Sequence, residues 1–181
     1  MTTTNCTNQD NIEALTKDSC SELFSAYGVT VSEHCNTSPI ETTQFVGVIG
    51  FTGDDIRGTL LIAMDNDLLA ATLQQDASPS GDTDTAVFRD WIGELSNQLL
   101  GRVKNLLLRR GSTITLSIPL VLRGEHLSPL PREGCQRICL DTNSGQVQLW
   151  VDTEFARDYV LPAEDIPGSD DVPSEGDAMF F

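Results

Sequence analysis

The chain has 181 residues, 27 Asp plus Glu against 11 Lys plus Arg, and a formal charge of −16; that length suits one domain with its own core. Such a balance repels phosphate backbones and anionic lipid surfaces, because nucleic-acid affinity rests on cations that displace counterions, so neither nucleic acid nor membrane is an expected partner. No apolar run approaches a membrane span, the stretch Met1–Asp10 lacks the basic and apolar regions of a signal peptide, and Cys6, Cys20, Cys35, Cys135 and Cys139 form no C-x-x-C pair. A cytoplasmic chain with buried, reduced thiols and no metal site is expected.

Residues 1–10 read as a flexible N-terminus and residues 11–160 as the folded domain. Ile12, Leu15, Cys20, Leu23, Phe24 and Tyr27 recur at helical spacing, and Gly28 stands where a C-cap belongs, which predicts a helix over 11–27. The apolar runs Phe45–Phe51 and Gly58–Met64 flank Thr52-Gly-Asp-Asp-Ile-Arg57 and predict a hairpin. Asp65-Asn-Asp67 can cap a short helix, Leu68–Leu73, since its side-chain oxygens can accept orphan amide hydrogens. A polar loop follows over 77–85, then the longest helix, about 86–110, stopped by Gly111.

Residues 113–123 place Ile114, Leu116, Ile118, Leu120 and Leu122 on one face, the period of a half-buried strand. Pro119 cannot donate a ladder hydrogen bond, so the strand is expected at an edge or bulged there. Strands Arg137–Asp141 and Gln146–Asp152 flank a turn signal, Thr142-Asn-Ser-Gly145. After Arg157 come Asp158, Glu164, Asp165, Asp170, Asp171, Glu175 and Asp177 with no Lys or Arg, so only −9 of the charge belongs to the preceding chain. Residues 161–181, with three prolines among these acids, read as an acidic flexible tail.

The pieces repeat. Lys17-Asp18-x3-Glu22-Leu23-x-Ser25 lines up with Arg89-Asp90-x3-Glu94-Leu95-x-Asn97, and Gly58–Leu73 lines up with Gly145–Val160. A duplicated helix, hairpin, helix unit predicts a pseudo-symmetric α+β domain with long helices against an antiparallel sheet. On the longest helix Phe88, Trp91, Ile92, Leu95, Leu99, Val103 and Leu106 share one apolar face, the core side. Asp90, Glu94, Asn97, Gly101 and Lys104 form a stripe facing away from it. Glycine in mid-helix costs about 1 kcal/mol relative to Ala, so Gly101 points to close approach by another molecule.

These residues resemble a family. Asp90-x3-Glu94-x2-Asn97, followed by Pro119 in the next strand, is similar to the signature of the CheC/CheX/FliY phosphatases, which dephosphorylate the chemotaxis response regulator CheY. The segments 49–58, Gly93–Gly101 and Leu116–Val121 resemble the family's hairpin, helix and strand, over roughly residues 11–160. The likeness is to the CheX branch, whose members carry one complete motif; here Asp18-x3-Glu22-x2-Ser25 resembles a silenced half-site. The Asn97-to-Pro119 spacing is one residue shorter than the family's usual one.

The resemblance implies an enzyme that hydrolyses the aspartyl phosphate of a CheY-type receiver. It implies Asn97 and Glu94 as catalytic residues, the amide orienting an attacking water and the carboxylate engaging the receiver's lysine, with Asp90 and Gly101 lining the binding surface. It implies no cofactor on this chain, because the receiver carries its own Mg²⁺. It also implies a homodimer joined at sheet edges, for which the strand containing Pro119 and the hairpin Gln146–Asp152 are the candidate edges. Two rival readings remain open on the residues alone: an inactive module of the same fold that binds a receiver or dimerises as a scaffold, and an acid/base hydrolase using Asp90 and Glu94. The cations Arg102, Lys104, Arg109 and Arg110 are expected to answer the helix dipole, not to dock a partner.

Overall fold

The computed structural model describes residues 3–32, 43–73, 82–127, 129–130 and 132–167, with no side chains for 3–6, 43 and 82–84. The elements are α1 (Thr3–Ala26), β1 (Val31–Ser32), β2 (Thr43–Thr52), β3 (Ile56–Asp65), α2 (Asn66–Thr72), α3 (Asp82–Arg109), β4 (Thr115–Leu116), β5 (Leu120–Glu125), β6 (Gln136–Thr142) and β7 (Gly145–Phe155). The sheet runs β1-β6-β7-β3-β2, and β4 and β5 both pair with the outer side of β2. All pairings are antiparallel. Residues Phe45, Ile49, Leu60, Ile62, Met64, Leu149 and Val151 point from one face of the sheet into a core closed by Leu23, Phe24, Ile92, Leu95 and Leu99 of the helices.

The duplication is visible as geometry. Ile62 lies opposite Leu149 at the central seam, and the alignment that carries Gly58 onto Gly145 also carries Ile62 onto Leu149. The pseudo-two-fold axis therefore passes through that pair. The halves exchange their edges: β1, which follows α1, pairs with β6, and β5, which follows α3, pairs with β2. Both long helices end in the same motif. Gly28 and Gly111 sit at φ 75° and 83°, with Val29 N–H donating to Phe24 O and Ser112 N–H to Leu107 O, a left-handed cap that glycine adopts without strain.

The structure corrects several expectations. Helix α1 starts at Thr3, with Asn8 and Gln9 buried, so residues 3–10 belong to the helix and not to a flexible end. Asn8 Nδ2 donates to Tyr159 O and its Oδ1 accepts from Leu161 N, each at 2.8 Å, which holds the chain beyond β7 against α1. Leu161 is buried, and Ile166 N–H donates to Arg109 O, so residues 161–167 pack on the domain. The rest of the expected tail, 168–181, lies outside the described residues, as do 77–81 of the polar loop. Helix α3 begins at Asp82, inside that loop. Only the first copy of the repeat ends in a helix: Asp65 Oδ1 accepts from Leu68 N to open α2, whereas β7 stays paired with β3 as far as Phe155 and then turns.

The strand over 113–123 is broken by a bulge. Leu116 pairs with Phe51 and Leu120 with Val48, so three residues, Ser117, Ile118 and Pro119, oppose two. One extra residue reverses the alternation beyond it. Ile114 is buried, but Ile118, Leu120 and Leu122 are 92%, 60% and 45% exposed, while Val121 turns to the core. The bulge and the edge position expected from Pro119 are both present. Gln146–Asp152 is not an edge, because β7 lies between β6 and β3. The link from β5 to β6 must cross the sheet, and it does so over the outer face: Leu127 and Cys135 pack with Val46, Ala63 and Trp150. Arg132 Nε lies 2.7 Å from Asp152 Oδ2, and its Nη1 lies 2.6 Å from Glu154 Oε1, tying the link down.

Cys139 is disulfide-bonded, against the expectation that every thiol is reduced. Cys20 and Cys135 are free, and burial pushes the Cys20 thiol up to about 12, which keeps it protonated and inert.

Helix α3 can lie directly on β2 because Gly47 has no side chain: a Cβ there would stand 2.0 Å from Ser96 Oγ and 3.2 Å from Ile92 O. Gly47→Ala is expected to lower unfolding free energy by about 1–3 kcal/mol, the usual cost of overpacking, measured by urea denaturation.

Candidate functional site

The stripe expected on the longest helix is on α3 and faces away from the sheet. Phe88, Ile92, Leu95, Leu99 and Val103 are buried on the opposite face, while Trp91 and Leu106 pack partly against the core. Asp90 and Glu94 are exposed, and Asn97 and Gly101 are half-buried. Asp90 Oδ1 takes Arg89 Nε at 2.9 Å and Arg89 Nη2 at 2.7 Å, an exposed pair of small energetic weight. Around Gly101 an added Cβ would meet nothing within 4 Å, so the helix surface there is open. Pro119 stands beside Gly93, its Cγ 3.8 Å from where a Cβ would be, and so forms a wall one helical turn from Asn97.

Glu94 is held from behind. Gln98 Nε2 donates to Glu94 Oε1 at 2.9 Å, and Tyr27 Oη donates to Gln98 Oε1 at 2.7 Å. The Tyr27 ring packs edge-on against Trp91, centroids 5.3 Å apart. Trp91 Nε1 donates to Thr72 Oγ1 at 2.8 Å, and Thr72 Oγ1 to Leu69 O at 2.7 Å. Helices α2 and α3 and the residue that follows α1 thus contribute to one chain of contacts that ends on a surface carboxylate. Asn97 differs: its amide makes no hydrogen bond with any described residue. The sequence reading named Glu94 and Asn97 but missed Gln98 and Tyr27; the only signal was the i, i+4 spacing of Glu94 and Gln98.

The half-site on α1 differs in one residue and in the surroundings of another. Ser25 replaces the amide, and Glu22, the counterpart of Glu94, lies 3.7 Å from Arg102 Nη1. Arg110 hydrogen-bonds Pro162 O at 3.1 Å and lies 3.9 Å from Asp165. These two members of the basic cluster are thus engaged within the molecule.

The stripe lies on an outward helix face. A cleft of about 770 Å³ opens elsewhere, around Arg132, Asp152, Glu154 and Tyr159, and shares no residue with α3. A surface with one free amide, one held carboxylate and a wall on the Pro119 side alone suits a macromolecular partner and not a small substrate. It also disfavours the acid/base hydrolase, since Asp90 and Glu94 are both exposed to solvent. Among the described residues no three His, Cys, Asp or Glu gather to hold a metal ion, and no described helix is long and apolar enough to cross a membrane.

Comparison with known proteins agrees with this geometry. A family model described as chemotaxis phosphatase CheX matches residues 45–143. No curated protein sequence matches the chain. Among solved structures, the chemotaxis protein CheX from Vibrio vulnificus is similar with a TM-score of 0.67 at 19% identity, over 79% of this chain and 96% of that one. A chemotactic CheC-like protein from Shewanella oneidensis gives 0.64 at 21% identity, over 80% and 98%. CheX in the CheX–CheY–BeF₃–Mg²⁺ complex from Borrelia burgdorferi gives 0.61 at 12% identity, over 78% and 96%. At these identities the structures establish the fold, an α+β CheC/CheX-like domain.

Gly101 has open space around it and an ordinary helical role to fill. Gly101→Ala is therefore expected to raise stability by roughly 1 kcal/mol in denaturant titration, showing that the glycine serves the surface and not the fold.

Proposed function

We infer the activity of this chain from its kinship: it belongs to the CheX chemotaxis phosphatase family. We propose that it hydrolyses the aspartyl phosphate of a CheY-type response-regulator receiver. The observation that carries the proposal is the contrast on α3 between Asn97, whose amide has no hydrogen-bond partner among the described residues, and Glu94, held by Gln98 one turn away.

Such a reaction needs little from the phosphatase. The receiver brings the phosphoryl group, and its Mg²⁺ and lysine neutralise the charge that develops on it. What is missing is a water in line with the leaving carboxylate. Asn97 carries an acceptor and a donor on a short side chain, so its oxygen can accept a hydrogen bond from the water while its amide N–H donates to a phosphoryl oxygen. Asn97 is not a base; it lowers the barrier by holding the reacting atoms in place. Glu94 meets the receiver's lysine and fixes the docking angle. Gly101 leaves room for the receiver's backbone, and Asp90 lies on the rim of the contact. The Borrelia burgdorferi complex supports this pairing, since it joins a protein of this fold to CheY. A receiver partner would place the chain in the cytoplasm.

The same kinship supports a homodimer, and the edge best suited to it is β5. Among the described residues it pairs only with β2, and it carries the exposed Leu120 and Leu122, with the exposed Ile118 just before it. Light scattering is expected to give a dimer, and Leu120→Lys a monomer; a monomeric wild type would refute the edge pairing.

For the activity, purified protein is expected to accelerate Mg²⁺-dependent phosphate release from a phosphorylated receiver. Asn97→Ala should lower kcat by roughly 100-fold or more, and Glu94→Ala should raise KM by roughly tenfold, as loss of a charged hydrogen bond does. A wild type that binds the phosphorylated receiver without shortening its lifetime would make the chain a binding module instead.

A further inference from the structure

We propose that Gln98, backed by Tyr27, is a positioning residue that presents the Glu94 carboxylate to the receiver in its docking orientation. This rests on the reading of Glu94 as the docking group. A carboxylate only accepts hydrogen bonds, so Gln98 must turn Nε2 toward Glu94. Its Oε1 then faces Tyr27, whose hydroxyl must donate. One orientation of the amide satisfies both contacts, at 2.9 Å and 2.7 Å; the flipped one would set an amide oxygen against the carboxylate.

Only one carboxylate oxygen is used. Gln98 engages Oε1, and Oε2 makes no hydrogen bond with any described residue, so it is free to accept a cation from outside. A glutamate on a helix surface otherwise samples many rotamers, and ordering it when the partner arrives weakens binding. Tyr27 is itself placed firmly. It sits at the end of α1 before the left-handed Gly28, and its ring lies edge-on to Trp91, which is bonded to Thr72 of α2.

The duplicated half supplies a comparison within one molecule. The alignment that carries Glu22 onto Glu94 carries Ala26 onto Gln98 and Tyr27 onto Leu99. Neither the amide nor the hydroxyl has a counterpart there. Glu22, with no such holder, lies instead 3.7 Å from Arg102. The holder is present in the half that keeps the asparagine and missing in the half that lost it.

The test uses the full chain and a CheY-type receiver phosphorylated with acetyl phosphate. Gln98→Leu and Tyr27→Phe are each expected to raise KM by roughly three- to tenfold, the cost of ordering a side chain on binding, with kcat within twofold of wild type. In a Glu94→Ala background neither change should have a further effect, because the group they position is gone. Full additivity in that background, or an equal fall in kcat, would overturn the proposal, since a structural defect acts whether or not Glu94 is present. A second readout needs no receiver. In the free protein the Gln98 side-chain amide should show the restricted motion of an ordered group by nitrogen-15 relaxation, and Tyr27→Phe should release it; a mobile amide in the wild type would also overturn the proposal. If the amide is ordered yet the wild type neither binds nor dephosphorylates any receiver, the phosphatase reading fails and the role assigned to Gln98 fails with it, while the ordered amide itself stands.

Discussion

The antiparallel seam between β3 and β7 runs from Ile56 opposite Phe155 to Ala63 opposite Gln148, and every other element takes its place from it. Because its register puts Ile62 opposite Leu149, the two halves are set about one axis. Each half then has an unfilled sheet position beside its hairpin, and the edge strand of the other half fills it. A one-residue slip in this seam would turn Ile62 and Leu149 out of the core and move both long helices off the face they cover. The single core of the domain is in this sense built from two half-cores that cannot close alone.

From the seam the surface stripe follows in a few physical steps. Gly47 of β2 lets α3 settle on the sheet, the apolar face of α3 fixes its rotation, and the rotation turns Asp90, Glu94, Asn97 and Gly101 outward. The two long helices lie side by side, which brings Tyr27 within reach of Gln98 and Arg102 within reach of Glu22. The same proximity thus has opposite results in the two halves. In one it steadies a carboxylate and leaves it available; in the other it engages the carboxylate with a cation. The paired long helices and the central seam keep the pseudo-symmetry while the two helix faces diverge through a few side chains.

The acidity of the chain also has a more specific meaning once the charges are placed. Arg57, Arg132, Arg102 and Arg110 all lie within 4.0 Å of carboxylates of the molecule itself. These four cations are thus engaged by the acidic chain itself.

Much of this was legible in the residues because it depends on period and on local chemistry. The helical spacing of Ile92, Leu95 and Leu99, the left-handed caps at Gly28 and Gly111, the N-cap at Asp65 and the paired motifs around Glu22 and Glu94 are statements about neighbours in sequence, and such statements need no fold. The α+β class and the outward stripe follow from them. What failed depended on contacts between distant segments. A bulge one residue wide turned Ile118, Leu120 and Leu122 from the core to the solvent, because alternation carries no memory of an inserted residue. The central position of β7, the helical start at Thr3 and the packing of residues 161–167 were set by partners in other elements: β3, Tyr159 and Leu161, and Arg109. The sequence by itself determined two related motifs, each with its glutamate, and the i, i+4 placement of Gln98 beside Glu94; only the tertiary structure decided their different surroundings, because Tyr27 reaches Gln98 and Arg102 reaches Glu22 across a helix interface that sequence spacing does not record.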